Sequence, residues 1–403
     1  MRRFMASDLI PLPARTLRVG MTLPYDLYDA SGSLLFARGR VLQDSPLVRG
    51  LIDGGAWVQS DATLEYQRAL AHRLDTLVMQ DVPLADIAKA DSAFRLEAQA
   101  PKVEPGPRAI WSDLLLHTHG LLREREPADF RNRLASLRDT ALKQLHGHPD
   151  ATLLLLIFES SQEFADYSAR HALLTLLVSD IVAAQLQLAR PLRDALLGAA
   201  LTMNYGAGLV HDRMASQVDK ATAAQRQALA GHGVRAAEQL ARLGIDDPLW
   251  LTAVRLHHDA GPGPLAPRDD GEKLARLLRR IDIFGARLSP RRSRQALSGA
   301  AAARAVFLDE RGQPDEAGAA LIKAVGLYPP GSIVRLANGE IGIVFKRGFS
   351  ANEPLVAALI GKSGSPLSNP VPRDTRLATQ AIAASLPPAE LKLRVTLDAL
   401  LKL

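Results

Sequence analysis

The period of apolar residues changes twice along the chain. Residues 16–60 hold short apolar runs between Gly-containing turns, with hairpin chemistry at Ser31-Gly32, and predict a small β-rich unit that a short helix at Pro46–Ile52 closes. From about residue 109 to 327, apolar side chains recur three and four positions apart, which predicts helices. Beyond this stretch the period becomes two, and Asn338-Gly339 between apolar runs predicts a β-hairpin.

Proline and glycine divide the helical stretch into segments, so we expect a bundle of eight or more helices. The predicted breaks are His146–Pro149, Ala189–Pro191, Gly244–Pro248, Gly261–Pro267 and Gly312–Asp315. After the hairpin, Val356–Ile360 predicts a third strand, Pro366–Arg376 an irregular segment and Pro388–Leu403 a short closing segment.

These patterns predict a mainly α protein in four parts. Residues 1–60 form the β-rich accessory domain, 61–108 a helical linker region, 109–327 the helical bundle and 328–403 a C-terminal β extension. The linker region ends in a stretch with three prolines and a glycine between Pro101 and Pro107, which breaks helices.

Composition narrows the chemistry. The 403 residues include no cysteine, which excludes disulfides, thiolate zinc sites, iron–sulfur clusters and a cysteine nucleophile. Histidine, aspartate and glutamate remain as metal ligands. The net charge of +6 comes without a helix-turn-helix or zinc-finger signature, so direct DNA reading is not expected. No window predicts a membrane span and no apolar segment follows Arg2-Arg3, so we expect a cytoplasmic protein.

Four histidines and an aspartate within the predicted bundle are candidate metal ligands. Imidazoles and carboxylates from separate helices can hold a divalent ion in the core of a bundle. The candidates are His171, His232, His257, His258 and Asp282. The other histidines are interpreted as structural: His72, His117, His119, His146, His148 and His211.

The chain resembles the HD-GYP family, metal-dependent phosphodiesterases that act on cyclic di-GMP in bacteria. The matching segments are Leu196–Leu201 through Gly206, the histidines His232 and His257-His258, Asp282, and Tyr328–Leu336; Val19–Leu23, Leu34–Gly39, Val41-Leu42 and Leu51–Gly55 resemble the small N-terminal domain often fused to the catalytic domain. The resemblance implies an HD-type helical bundle with a small β-rich N-terminal domain and a C-terminal β-hairpin extension. It also implies a phosphate-binding role for Arg291 and Arg294, which match arginines of the family.

Several positions depart from the family pattern. Met203-Asn204 stands where the family has its signature His-Asp, Tyr167 replaces a glutamate, and Gln217 falls where a substrate-binding lysine usually stands. The loop Asp259–Leu265 is short and lacks the family's tyrosine. Asn offers no charge to bridge two cations, so these departures disfavour two-metal hydrolysis. One divalent ion (iron, manganese or zinc) or none is expected.

Three functions stay open from the sequence. The preferred one is a degenerate member with little or no phosphodiesterase activity, which acts in cyclic di-GMP signalling by binding the nucleotide or a related ligand, or by contacting partner signalling proteins. The alternative is an active phosphohydrolase with one metal on the remaining histidines, assisted by Asp282 or Asp259. The third is an interaction module without a ligand, in which the histidines are satisfied polar packing.

A dense arginine cluster lies between Arg276 and Arg294. Arg276, Arg279 and Arg280 fall within a predicted helix and are interpreted as its solvated face.

Overall fold

Two compact units make up the chain, Met1–Glu104 and Pro105–Leu403. The computed structural model describes residues 9–12, 17–23, 25–29, 34–54, 56–59, 107–393 and 395–403. The predicted turn at Ser31-Gly32 and nearly all of the predicted helical linker region lie outside the described residues.

The first unit contains a four-stranded antiparallel sheet and one helix. The strands are β1 (Leu9–Leu12), β2 (Leu27–Tyr28), β3 (Leu34–Phe36) and β4 (Ala56–Gln59), in the order β1-β4-β2-β3. Helix α1 (Pro46–Gly54) lies between β3 and β4 in the chain. The small core of this unit includes Leu23, Leu27, Leu42 and Val58.

The second unit begins with twelve helices in its described residues. They are α2 (Pro107–Arg123), α3 (Phe130–Gly147), α4 (Pro149–Gln162), α5 (Tyr167–Gln185), α6 (Arg190–Thr202), α7 (Gly208–Ser216), α8 (Ala223–Leu229), α9 (His232–Arg242), α10 (Pro248–Leu256), α11 (Asp270–Leu288), α12 (Gly299–Phe307) and α13 (Glu316–Val325). The five predicted breaks all fall at or between helix ends, as the mainly helical pattern required.

Local chemistry explains several helix starts. Asp247 accepts hydrogen bonds from the backbone N–H groups of Leu249 and Trp250, and Pro248 occupies the first position of α10. Asp269 caps α11 through the N–H of Glu272 in the same way. These caps fix where α10 and α11 begin; Asp282 lies on α11, and His257 and His258 directly follow α10.

Helix α5 lies at the centre of the bundle. It is buried along nearly its whole length and contacts α2, α3, α4, α6, α7, α11 and α13. A helix enclosed on all sides is apolar on all sides, so its few polar residues require specific partners. His171 and Asp180 are two of them.

A five-stranded antiparallel sheet follows the helices. Its strands are β5 (Ile333–Leu336), β6 (Ile341–Lys346), β7 (Leu355–Ile360), β8 (Pro366–Asp374) and β9 (Ile382–Leu386), in the order β8-β7-β6-β5-β9. The Asn338-Gly339 turn connects β5 and β6, with Gly339 at φ 89°. A short helix, α14 (Leu397–Leu400), ends the described chain.

The expectation of an irregular segment at Pro366–Arg376 was wrong, because most of it forms β8. Three prolines in this strand removed the sequence signal, but β8 is an edge strand, where a missing N–H donor is tolerated.

One face of the sheet shares the core of the bundle. Ile333, Ile343 and Ala357 belong to the same buried cluster as the helices, whereas Val334, Val344 and Val356 form a separate cluster on the opposite face. No helix among the described residues is long and apolar enough to cross a membrane.

Candidate metal centre

Three imidazoles converge where α9 begins and α10 ends. His232 is the first residue of α9, and His257 and His258 directly follow the last residue of α10. One ligand atom from each ring lies within 4.8 Å of the other two. In the described part of the chain, these three residues are the group of His, Asp or Glu side chains spaced to hold a metal ion.

Gly233 allows this convergence. A Cβ atom at this position would lie 2.8 Å from the carbonyl oxygen of Val254 and 3.0 Å from that of Arg255. The missing side chain therefore lets the first turn of α9 approach the last turn of α10 closely enough for the rings to meet.

Backbone carbonyls orient two of the rings. Nδ1 of His232 lies 2.9 Å from the carbonyl of Leu229, and Nδ1 of His257 lies 2.7 Å from that of Val254. Burial lowers the pKa of His257 to about 3 and also lowers the pKa of His232, so both rings are neutral near pH 7. A neutral imidazole has one proton, which these contacts place on Nδ1, leaving the Nε2 lone pairs for a ligand.

The Nε2 atom of His257 is buried and has no hydrogen-bond partner among the described residues. Packing that satisfied every polar group would not leave such an acceptor unpaired. A bound cation would supply the missing partner.

Asn204 adds an oxygen to the group. Its Oδ1 lies 3.0 Å from Nε2 of His232, and in the tautomer described above both atoms are acceptors. The amide can turn to present its NH₂ group to this nitrogen, or its oxygen would join the nitrogen atoms as a ligand if a cation were bound.

His171 and Asp282 form a hydrogen-bonded pair next to the three histidines. Nε2 of His171, on α5, lies 2.8 Å from Oδ1 of Asp282, on α11. Burial of Asp282 by itself raises the pKa of its carboxyl, but the hydrogen bond and charge of His171 outweigh this and hold that pKa below its ordinary value. Asp282 is therefore a carboxylate that His171 already holds.

A wall of Tyr167, His211 and Arg291 adjoins this pair. The Tyr167 ring stacks on His171 with centroids 5.6 Å apart and on His211 at 6.3 Å. The guanidinium carbon of Arg291 lies 5.2 Å from the Tyr167 ring centroid. The His211 ring in turn lies 5.7 Å from that of His232, so the wall and the three histidines are continuous.

Several polar atoms of the wall lack partners. Both ring nitrogens of His211 and Nε of Arg291 are buried without a hydrogen bond in the part of the chain that the structure describes. Burial lowers the pKa of His211 to about 3, so the imidazole is neutral. Arg291 is the fixed positive charge on this side.

Asp212 positions α7 and hence His211. Its carboxylate accepts hydrogen bonds from the backbone N–H and the hydroxyl of Ser168, at 2.8 and 2.9 Å, and from Arg123 at 2.6 Å. These contacts fasten α7 to the first turn of α5 and to the end of α2. These contacts thereby hold the neighbouring side chain, His211, against Tyr167.

Three candidate residues from the sequence lie in structural contacts. Met203 is buried in the hydrophobic core of the bundle. Gln217 exchanges hydrogen bonds with Gln225 at the start of α8. Arg294 donates to the backbone carbonyls of Ala286 and Ser289, so Arg291 is the arginine of this pair with a buried N–H group left unpaired.

The prediction of a solvated arginine face on α11 was wrong. Arg276 is fully buried and Arg280 is 3% exposed; only Arg279 is partly exposed. All three donate to Glu310, and Arg276 and Arg280 also donate to Asp315, which caps α13. Two acids distant in the sequence supplied the compensating charge, which the helical pattern alone did not reveal.

His211 is the residue that sequence reasoning missed. From the sequence it is interpreted as structural, as one of several histidines scattered over helices and loops. Its position in the sequence could have indicated a place near the site, because it lies in the first helix after the Met203-Asn204 turn.

The donor set fits one cation. His232, His257 and His258 supply nitrogen ligands, and Asn204 supplies a neutral oxygen. The same residues do not fit a pair of cations, since the position between two ions would need a bridging carboxylate and holds an amide.

No family model matches the chain. A curated relative, the cyclic di-GMP phosphodiesterase PA4108 of Pseudomonas aeruginosa, is 29% identical over 205 residues, which cover 50% of this chain and 49% of the relative. The match thus spans about half the length of the curated relative. A solved structure, that of Bd1817, an HDGYP protein from Bdellovibrio bacteriovorus, is 15% identical and covers 78% of this chain and 98% of its own, at a TM-score of 0.40.

The similarity to the Pseudomonas relative agrees with the resemblance to the HD-GYP family that the sequence motifs indicate.

Proposed function

We propose that this protein acts in cyclic di-GMP signalling as a nucleotide-binding or partner-binding protein with little or no phosphodiesterase activity. The relative from Pseudomonas, a cyclic di-GMP phosphodiesterase, supports the nucleotide class. The observation that carries the reduced activity is Asn204, a neutral amide 3.0 Å from His232 at the position where the family pattern has a bridging carboxylate.

Arg291 is the residue we assign to a phosphate group of the ligand. Its Nε–H is buried and unpaired among the described residues, and its guanidinium lies over Tyr167. Guanidinium groups bind phosphate oxygens through charge-assisted hydrogen bonds. Arg294 supports this loop in two ways. Its side chain donates to backbone carbonyls, and its backbone N–H and C=O exchange hydrogen bonds of 2.8 Å with those of Arg291.

Titration calorimetry with cyclic di-GMP tests the binding. We expect the wild-type protein to bind and Arg291→Ala to weaken the affinity tenfold or more, since a hydrogen bond to a charged group contributes roughly 1.5–3 kcal/mol. Arg292→Ala is the matched control, because it removes the same charge one residue away from an exposed position. An equal loss in both variants would show a general charge effect and contradict the role of Arg291.

The alternative function is a phosphohydrolase with one ion. The Nε2 lone pairs of His232 and His257 favour it, because they converge in the way that metal ligands do. The ion would polarise a phosphate oxygen and lower the pKa of a bound water. His258 and His257 would hold it, and Asp282 or Asp259 would accept a proton.

Turnover decides between the two functions. We expect no hydrolysis of cyclic di-GMP above the level of a His257→Ala variant when the protein is supplied with manganese, ferrous iron or zinc. Robust hydrolysis that disappears in His257→Ala would establish the alternative. Neither hydrolysis nor nucleotide binding would leave the partner-binding role, which a pull-down with purified signalling proteins addresses.

A further inference from the structure

A second group of polar side chains lies outside the candidate metal centre, where α3, α5 and α6 meet. Asp180 of α5 is 3% exposed, and its two carboxylate oxygens have different partners. Oδ2 lies 2.7 Å from Nε2 of His146, in the last turn of α3. Oδ1 accepts hydrogen bonds from Nε and Nη2 of Arg193, on α6, at 2.8 and 2.5 Å. A buried carboxylate therefore fixes the orientation of an imidazole and a guanidinium.

Both of these oriented groups keep a polar atom that solvent can reach. The bonds of Arg193 use Nε and Nη2, so Nη1 has no hydrogen bond among the described residues, and the side chain is 36% exposed. The His146 side chain is 54% exposed. A contact of 2.7 Å between Nε2 and a carboxylate oxygen needs a proton on Nε2, which leaves Nδ1 of His146 for a ligand.

A cavity of about 530 Å³ opens beside these two groups, between α3 and α6. Two further arginines, Arg138 and Arg190, line it. The Arg190 side chain is 92% exposed, and its ion pair with Asp194 spans 3.6 Å. Arg138 contacts its neighbour Asp139 through Nε at 3.1 Å. Most N–H groups of these two guanidiniums therefore remain available to a ligand.

The balance of charge at the cavity indicates the ligand that it suits. The three arginines are offset by Asp139 and Asp194, which also line the cavity, and by the buried Asp180. A proton on Nδ1 of His146 leaves one positive charge in excess and adds an N–H donor to the wall that Nη1 of Arg193 also lines. A tetrahedral oxyanion favours this protonated state, because guanidinium and imidazolium groups donate charge-assisted hydrogen bonds to its oxygens.

The cavity also offers apolar surface. Leu142, Leu188 and Leu197 line it together with the charged groups. Its volume falls in the range of small-molecule sites, roughly 300–1,000 Å³. Apolar side chains next to guanidiniums suit an organic phosphate better than inorganic phosphate.

We propose that this cavity binds a small organic phosphate and that His146 takes up a proton from solvent when the ligand binds. Asp180 holds Arg193 and His146 in the orientation that the ligand meets. The proposal goes beyond the proposed function, because the cavity shares no residue with Arg291 or with the histidines of the candidate metal centre.

NMR of the His146 ring nitrogens tests the proposal in the full chain. Sulfate is the first probe, since it has the shape of phosphate and takes up no proton itself near pH 7. We expect sulfate to produce a saturable shift of both nitrogens toward the values of a protonated imidazole, in a signal assigned by its loss in His146→Gln. Sodium chloride at equal ionic strength controls for screening. A His146 signal that sulfate does not move, or that chloride moves equally, would overturn the proposal.

Arg190→Gln gives a second test, because this side chain is too exposed to support the fold. It should weaken the binding of sulfate and of phenyl phosphate at least tenfold, as followed through the same His146 signal. Arg131→Gln is the matched control, since Arg131 is an exposed arginine of α3 outside the cavity. Equal losses in the two variants would show a general charge effect and contradict the site.

Two phosphates test the apolar part of the cavity. Phenyl phosphate should bind at least threefold more tightly than inorganic phosphate, because its ring would cover the leucines. Equal affinities would contradict an organic ligand. None of these readouts depends on cyclic di-GMP, so this proposal and the proposed function can fail separately.

Discussion

Arg276 is a charged residue in the interior of the bundle, and its environment determines its contribution to stability. It donates to the carbonyl of Ala260 at 2.8 Å, to Glu310 at 3.1 and 3.0 Å, and to Asp315. A buried ion pair adds little compared with apolar packing, but removal of one partner leaves the other charge buried and uncompensated.

We therefore expect Arg276→Met to lower the free energy of unfolding by about 3–5 kcal/mol, as measured by urea denaturation at pH 7. Arg279→Met is the matched control. Arg279 donates one hydrogen bond to Glu310 and is partly exposed, so its loss should cost less than about 1 kcal/mol. Equal losses in the two variants would contradict the importance of burial.

Residue identity selected candidate ligands for the site but not their contacts. His171, His232, His257, His258 and Asp282 could be selected because imidazole and carboxylate are the ligands available without cysteine. The pairing of Asp282 with His171 could not be predicted, because it joins residues 111 positions apart. The sequence also could not show that Arg294 supports its loop while Arg291 keeps an unpaired N–H group.

The contact between α9 and α10 determines whether the three imidazoles meet. Gly233→Ala would place a methyl group against two backbone carbonyls, which cannot move as a flexible side chain would. We expect the helices to separate slightly, with a loss of stability of about 1–3 kcal/mol and a zinc affinity at least tenfold weaker.

Calorimetry with zinc and urea denaturation measure the two effects of Gly233→Ala. Gly120→Ala in α2 is the control, because a Cβ there meets open space; it should stabilise by about 0.4–1 kcal/mol and leave zinc binding unchanged. Unchanged zinc affinity in a folded Gly233→Ala protein would show that this close approach does not position the ligands.

Helices were easier to predict than strands in this chain. The apolar period and the Pro and Gly breaks indicated the helical segments, since both signals are local. Strand β8 lacked a local signal, because an exposed edge strand needs neither an apolar face nor every N–H donor. The Asn338-Gly339 turn is the opposite case, where two residues specify a hairpin.

At the scale of the molecule, the sheet and the helices of the second unit share one core. Ile333, Ile343 and Leu386 of the sheet pack in the same cluster as the helices, and Arg347 on the loop after β6 donates to Asp150 of α4 at 2.5 Å. We therefore expect a change in the sheet to alter the unfolding of the helices as well.

Glu340 provides a pH-dependent test of this coupling. Arg373 on β8 donates two hydrogen bonds to its carboxylate, at 2.7 and 2.8 Å, and holds the pKa of Glu340 at about 2. Since this pKa lies below the ordinary value of about 4.5, the stabilisation is complete above pH 4.5 and is lost as the pH falls toward 2.

Glu340→Gln should lower the free energy of unfolding at pH 7 by roughly 2–3 kcal/mol, as measured on the helices. The difference in this free energy between the variant and the wild type should shrink as the pH falls from 4.5 to 2. Circular dichroism at 222 nm follows the helices. A difference that is the same at pH 7 and pH 2.5 would contradict the assignment of the effect to this carboxylate. An unchanged helical transition would contradict the shared core.

The division into four parts remains a prediction, and the whole molecule shows why such boundaries are difficult to infer. A change of period marks where strands replace helices, but it does not show whether the two share a core. Ile333 and the helices do share one, so the period changes near residue 328 inside a single compact unit.

The carbonyls of Leu229 and Val254 affect the entropy cost of binding an ion at the histidines. They fix the rotation of the His232 and His257 rings when the chain folds, so the conformational entropy of these rings is lost before any ion arrives. An ion that bound at this site would only have to shed water and meet lone pairs that already face it. Ion binding should therefore resemble binding to a rigid chelator, without the ordering of a flexible loop around the ion.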